Sequence, residues 1–229
     1  MWFCDRPRPQ QRLALELANL FEIIPLKNLS KFQKSWWVII TKEWINIDHW
    51  RLDKFLMLIR FVLNSIFKRL NSEEWEKSIV EDFLTILREG PLSGDKSIPT
   101  GIPFHIIDIY IDELEKVLFK DLKNDEESDE EEEDDKIQEK QEIINKTPIG
   151  QLITVFQDLS ENAPYKTLRE KIKDEILNDD RLKNWGVIEI IDKKLKKLNK
   201  SNDESESDDE EENDEDEEEE SEDEWNGFE

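Results

Sequence analysis

The chain has little of what enzymes and metal proteins draw on. Among its 229 residues it holds one cysteine, Cys4, and two histidines, His49 and His105. A single cysteine excludes a disulfide within the chain and any zinc site built from cysteines. Two histidines leave no room for a histidine-rich metal centre and make a Cys4–His nucleophile pair a poor reading. His105 falls in the first turn of a helical segment among Ile106, Ile107 and Ile109, where a core or capping role suits it. The phosphate-cradling, dinucleotide-binding, nucleophile-elbow and zinc-protease motifs are all missing. Carboxylates are plentiful, but they stand beside basic residues on helical faces, as solvated surface does. No catalytic residue, cofactor-binding residue or metal ligand is expected, and the chain reads as a non-enzyme.

Glycine is scarce too, six in all, and nowhere do apolar and polar residues alternate as a half-buried strand requires. The most apolar stretch, residues 55–67, is broken by Arg60 and is too short to span a bilayer. Met1 to Gln10 lacks the apolar core of a secretory signal. The expected compartment is the cytosol or the nucleus.

Basic residues are missing where acid is densest. Residues 1–120 hold 17 Lys+Arg and 17 Asp+Glu, so the net charge of -26 arises entirely beyond them. Asp125 to Asp135 (DEESDEEEEDD) supplies ten acids, and Ser201 to Glu229 supplies nineteen with no Lys or Arg. Such runs bury too little apolar surface to offset a backbone ordering cost of roughly 1–2 kcal/mol per residue, and their charges repel one another. They read as a disordered linker over 123–135 and a disordered tail over 201–229. Acid of this density repels nucleic acid and attracts basic proteins such as histones or ribosomal proteins; it also serves simply as a solubiliser. Ser128, Ser205, Ser207 and Ser221 each precede an acid by three residues, the pattern of an acid-directed kinase such as casein kinase two. They are candidate phosphorylation sites. Trp225 and Phe228, in the closing EWNGFE, lie outside any core and suit either a short docking motif or an incidental ending.

What is abundant is helical periodicity, and the predicted fold is all-α. A helical stub spans Met1 to Cys4. Helices follow over about Pro9–Ile24, with Leu13, Leu17, Leu20 and Ile24 on one face, and from a Ser30 cap to about Ile45. The longest runs from an Asp48 cap to about Leu70. Others run from Ser72 to Gly90, over Pro103–Leu122, from a Thr147 cap to about Leu159, and near Lys166–Leu177 and Val187–Leu198. In the longest helix, Leu52, Phe55, Leu56, Ile59, Val62, Leu63, Ile66 and Leu70 form a broad apolar arc. Trp50, Met57, Leu58 and Phe61 form a second, and a thin seam carries His49, Asp53, Arg60 and Asn64. A surface helix shows one apolar stripe. Two arcs predict packing on both sides, as in stacked antiparallel hairpins of a HEAT-like solenoid.

Two groups of residues suggest contacts to a partner. DRPRPQQR sets Arg6, Arg8 and Arg12 around a proline-stiffened turn near Trp2 and Phe3, where guanidinium forks suit phosphate or carboxylate and aromatics suit stacking. Pairing with acids on the following helix is the plainer reading. Arg51, Lys54 and Arg60 carry the same two readings. Trp36 and Trp37 are adjacent and diverge by about 100° on a helix, so one of them is free to face a partner. The lysines of DKKLKKLNK (192–200) suit a nuclear import signal, or simply a cationic helix end.

Three stretches carry a resemblance: MWFCDRPRPQQRLALEL (1–17), NIDHWRLDKFLMLIR (46–60) and PLSG…PTGIPFHIIDIYIDEL (91–114). They look like the ribosomal RNA processing protein 1, or nucleolar Nop52-like, family. The likeness is nearly continuous over residues 1–122 and fainter through TPIGQLITVFQDLS (147–160). It implies a helical family domain over 1–122, a linker over 123–135, a second helical segment over 136–200 packed on the first, and a tail over 201–229. It implies a nucleolar factor on precursors of the large ribosomal subunit that scaffolds pre-rRNA processing without being the nuclease. The partners implied are other assembly factors and pre-ribosomal RNA, with no membrane and no small-molecule substrate. The family pattern carries about fifty further residues, its opening helices, upstream of the MW at positions 1 and 2. The resemblance therefore implies either a start placed late or a form without its first hairpin, and a gain of stability when the chain is extended upstream. The competing reading is an acidic-tail chaperone for histones or basic ribosomal proteins.

Overall fold

In the computed structural model the described residues are 6–120, 122 and 131–187, with only the backbone described for 131–135. The chain divides into two units, Met1–Asp192 and Lys193–Glu229, and every described residue belongs to the first. Within it, helices and their turns account for the secondary structure, and no strand occurs among the described residues. No helix among them is long and apolar enough to cross a membrane.

The helices are α1 (Pro7–Ile23), α2 (Leu26–Glu43), α3 (His49–Ser72), α4 (Lys77–Glu89) and α5 (Gly101–Leu118). They continue with α6 (Glu131–Lys146), α7 (Ile149–Asn162), α8 (Lys166–Ile172) and α9 (Asp180–Asn184). A 3-10 turn, Trp44–Asn46, joins α2 to α3, and a π segment, Lys173–Leu177, prolongs α8. Packing sorts them into two rows: α1 lies on α3, α3 on α5 and α5 on α8, while α2 lies on α4 and α4 on α7. This is the two-layer stack of hairpins that the double-arced α3 predicts.

The core runs between the rows. Phe83 meets the edge of Phe67 at 5.9 Å between ring centres, Phe67 meets Tyr110 at 5.1 Å, and Tyr110 meets Phe156 at 4.6 Å. Each edge-to-face pair adds about 0.5–1.5 kcal/mol beyond the area it buries. The Tyr110 hydroxyl donates to the Leu152 carbonyl at 3.0 Å, so the one polar atom in this aromatic run is satisfied. Burial raises the Tyr110 phenol far above its usual range, and it stays neutral.

Asp48 caps α3 as expected, accepting from the Arg51 amide. Other expected ends move. Ser30 lies inside α2, whose start is fixed by Pro25, and its hydroxyl donates to the Asp82 carboxylate on α4. Ser72 is the last residue of α3, and its hydroxyl turns back onto the Arg69 carbonyl. Thr147 likewise donates to Ile143 of α6 instead of capping α7, which Pro148 introduces. α6 begins at Glu131, inside the stretch expected to be linker. The Met1–Cys4 stub, residues 123–130 and the segment beyond Val187 lie outside the described residues.

α3 ends in a Schellman turn: the Trp75 amide donates to the Leu70 carbonyl at 2.8 Å and the Glu74 amide to Asn71 at 3.0 Å. Glu74 and Trp75 both take positive φ, at 51° and 57°, where glycine is the usual occupant.

Candidate docking surface

α1 does not bury the face that its leucines mark. Ala14, Ala18, Phe21 and Gln10 are buried instead. Small residues let α1 settle close on α3, and the leucines on the neighbouring face are left half covered. Leu17 and Leu20 are exposed, as are Leu15, Ile23 and Leu26. Phe21 anchors the start of the stack by meeting Phe32 at 4.8 Å and the edge of Trp36 at 5.9 Å.

α2 divides its tryptophan pair. Trp37 is 1% exposed and belongs to the core, which removes it from the candidate contacts; of the pair, the half-buried Trp36 is the one left to face a partner. The outer face of α2 and the turn after it then leave Val38 at 59%, Ile39 at 61% and Ile45 at 81% exposed. Trp50, in the first turn of α3, is 87% exposed, although the helical wheel puts it on an apolar arc with Leu58. The arc predicts a direction; full burial along α3 begins only at Leu58, and His49 and Trp50 at its start stay exposed. Trp44 holds this corner together by lying over Gly101, where an added Cβ would come within 3.3 Å of its indole nitrogen.

The basic residues expected to make contacts separate into two kinds. Arg6 and Arg8 are exposed at the start of α1 and form no ion pair among the described residues, while Arg12 pairs loosely with Glu16 at 3.6 Å across a solvated face. Arg51 is tied to Asp48 at its own helix start, and Lys54 is half-buried. Arg60 serves the interior: with Asn64 and Lys116 it surrounds Glu113, which is 3% exposed, at 3.3, 3.0 and 2.6 Å. His105 holds the Leu56 carbonyl at 2.9 Å, and burial pushes its pKa down so that the neutral ring is favoured. Ser128, Ser205, Ser207, Ser221, Trp2, Phe3, Trp225, Phe228 and the lysines of 192–200 lie outside the described residues.

Among the clefts that the described residues line are three of note. One of about 200 Å³ lies between Arg88, Asp158 and Leu159, and one of about 490 Å³ between Trp75, Glu74, Ile143 and Lys146. The third, about 340 Å³, runs beside α2 between Trp37, Val38, Ile45, Ile98 and Pro99. Ser93 and Asp158 line the first of them, but no hydrogen bond joins the two as a nucleophile and its base require. No cluster of three or more potential metal ligands occurs among the described residues.

These features define a class, an all-α helical-repeat protein whose first two helices leave an apolar and basic edge uncovered. The chain belongs to the family described as "Nucleolar protein, Nop52", whose model matches residues 1–228. It is 34% identical over 174 residues to human ribosomal RNA processing protein 1 homolog B, covering 75% of this chain and 23% of that protein. To mouse ribosomal RNA processing protein 1 homolog A it is 29% identical over 168 residues, covering 72% and 33%. To the Caenorhabditis elegans homolog it is 33% identical over 120 residues, covering 50% and 29%. The chain thus spans about a quarter to a third of the length of these relatives. The family is nucleolar, which places the protein in the nucleus, at the nucleolus.

Proposed function

We propose that this protein is a non-enzymatic ribosome-biogenesis factor. On this reading it acts in ribosomal RNA processing on the precursor of the large subunit, as a scaffold and not as the nuclease. The observation that carries the reading is the contrast between titratable groups tied to neighbouring helices and an edge whose apolar and basic residues stay exposed. Tyr110, Glu113 and His105, the buried groups with chemistry to offer, are spent on neighbouring helices. The exposed aromatic, aliphatic and basic residues gather on α1, α2 and the start of α3, where a partner can reach them. The names of the relatives, all ribosomal RNA processing proteins, supply the process. Arg6, Arg8, Arg12, Trp36, Arg51 and Lys54 are the residues assigned to contact with other assembly factors or with pre-rRNA directly.

Sedimentation of the tagged protein tests this. It should travel with large-subunit precursors, and reversing the charge of Arg6 and Arg8 together should weaken that association. A protein found only in light fractions contradicts the reading. A second reading has its own observation, the nineteen acids and no base of Ser201 to Glu229, which suit a chaperone for histones or basic ribosomal proteins. Deleting 201–229 separates the two: a scaffold stays with the particle, whereas a chaperone loses its cargo.

A further inference from the structure

Helix α2 carries four lysines, Lys27, Lys31, Lys34 and Lys42, and one acid, Glu43. At helical spacing the lysines fall with Val38 and Ile45 along one outer face about 27 Å long, all of them exposed. Glu43 is turned aside to accept from Asn46 at 3.0 Å, and only Lys34 finds an acid, Glu89 at 2.8 Å. Lys27, Lys31 and Lys42 have no ion-pair partner among the described residues. Elsewhere on the body some long basic side chains reach acids on neighbouring helices, as Arg88 does to Asp158, Lys171 to Asp108 and Arg181 to Asp112. The α2 face therefore carries three lysines that no acid pairs among the described residues, beside Lys34, which Glu89 neutralises.

The same face is also greasy. Val38 and Ile45 stand seven residues apart and border the cleft of about 340 Å³ floored by Trp37. A phosphate backbone has no use for exposed aliphatics, and its recognition favours the arginine fork over lysine. An amphipathic helix has use for both: apolar residues one heptad apart seat over Val38, Ile45 and the cleft, while acids on its flanks meet the lysines.

We propose that the outer face of α2 is the docking site for an acidic amphipathic helix of another protein. The inference refines the scaffold reading by naming the kind of partner, and it stands or falls by its own measurement. A photoreactive benzophenone side chain placed at Val38 of the full-length protein in cells should crosslink to a protein segment rich in Asp and Glu with apolar residues at helical spacing. The same group at Glu161, on exposed α7 surface, serves as the comparison. Lys31→Glu with Lys42→Glu should reduce the Val38 crosslink by about tenfold or more, while the paired lysine-to-arginine variant keeps it within about twofold. Both lysines are exposed, so the melting temperature should not move. Crosslinking to RNA, to a segment without acid, or to a second copy of this chain overturns the proposal. So does a Val38 signal no stronger than that at Glu161. Sedimentation of the same cells reads the scaffold hypothesis separately: a light-fraction protein still crosslinked to an acidic helix refutes that hypothesis and leaves this one standing.

Discussion

The start and the middle of this helical stack are built from much the same residue types, yet they treat their apolar side chains differently. In the middle, α3 lies between α1 and α5, and Ile59, Val62, Leu63, Ile66, Phe67 and Leu70 are all fully buried. At the start, α1 and α2 are as rich in Leu, Ile and Trp, but Leu17, Ile23, Val38, Ile39 and Ile45 meet solvent. What differs is the supply of neighbours. An apolar face is buried only if the stack offers a helix to cover it, and isolated exposed apolar residues are ordinary whereas a contiguous set marks an interaction site.

The sharpest way to break the comparison is to remove equal bulk from both regions. Phe67→Ala deletes a ring packed between Phe83 and Tyr110 and should cost about 3–5 kcal/mol in urea unfolding. A loss below about 1 kcal/mol would mean that the middle is not the close-packed region described. Glu113→Ala leaves Arg60 and Asn64 without their shared acceptor and should cost roughly 2 kcal/mol. Glu74→Gly should act in the opposite direction, raising stability by about 1 kcal/mol, because glycine takes the left-handed position of the Schellman turn without a Cβ penalty. Ile45→Ser with Trp50→Ser, at the start of the stack, should change stability by no more than about 0.5 kcal/mol although two large apolar side chains are lost. A large loss there would show that this edge is covered within the chain.

Much of this contrast is legible in the sequence, and the part that is not has a physical cause. The two apolar arcs of α3 and the Asp48 cap give its two-sided burial and its start, because periodicity and capping are local properties. Arg60 and His105 resolve toward the plain alternatives weighed for them, an acid partner and a carbonyl. The buried face of α1 differs from the leucine face because leucine is the more hydrophobic residue and alanine the closer-packing one; helix α3 selects for approach distance, which a wheel does not contain. Trp50 was placed on an apolar arc because a wheel records direction but not where the neighbouring helices end. Ser30, Ser72 and Thr147 show the same limit: a hydroxyl near a helix start reads as a cap, yet each finds a different acceptor once other helices and turns are in place. The lysine face of α2 is a property of the fold, because which of its lysines meet a counter-charge depends on the acids α4 turns toward them, as Glu89 is turned to Lys34.

The central claim is that α1 and α2 form the open side by which this protein is held. Amide hydrogen exchange of the protein free and within the ribosome precursor tests it most directly, since a helix pair with an exposed apolar face opens locally more readily than one covered on both sides. The account predicts that exchange over residues 7–50 slows markedly on incorporation while that of α8 is unchanged. Protection confined to α7 and α8, with residues 7–50 exchanging as fast as in the free protein, would contradict it.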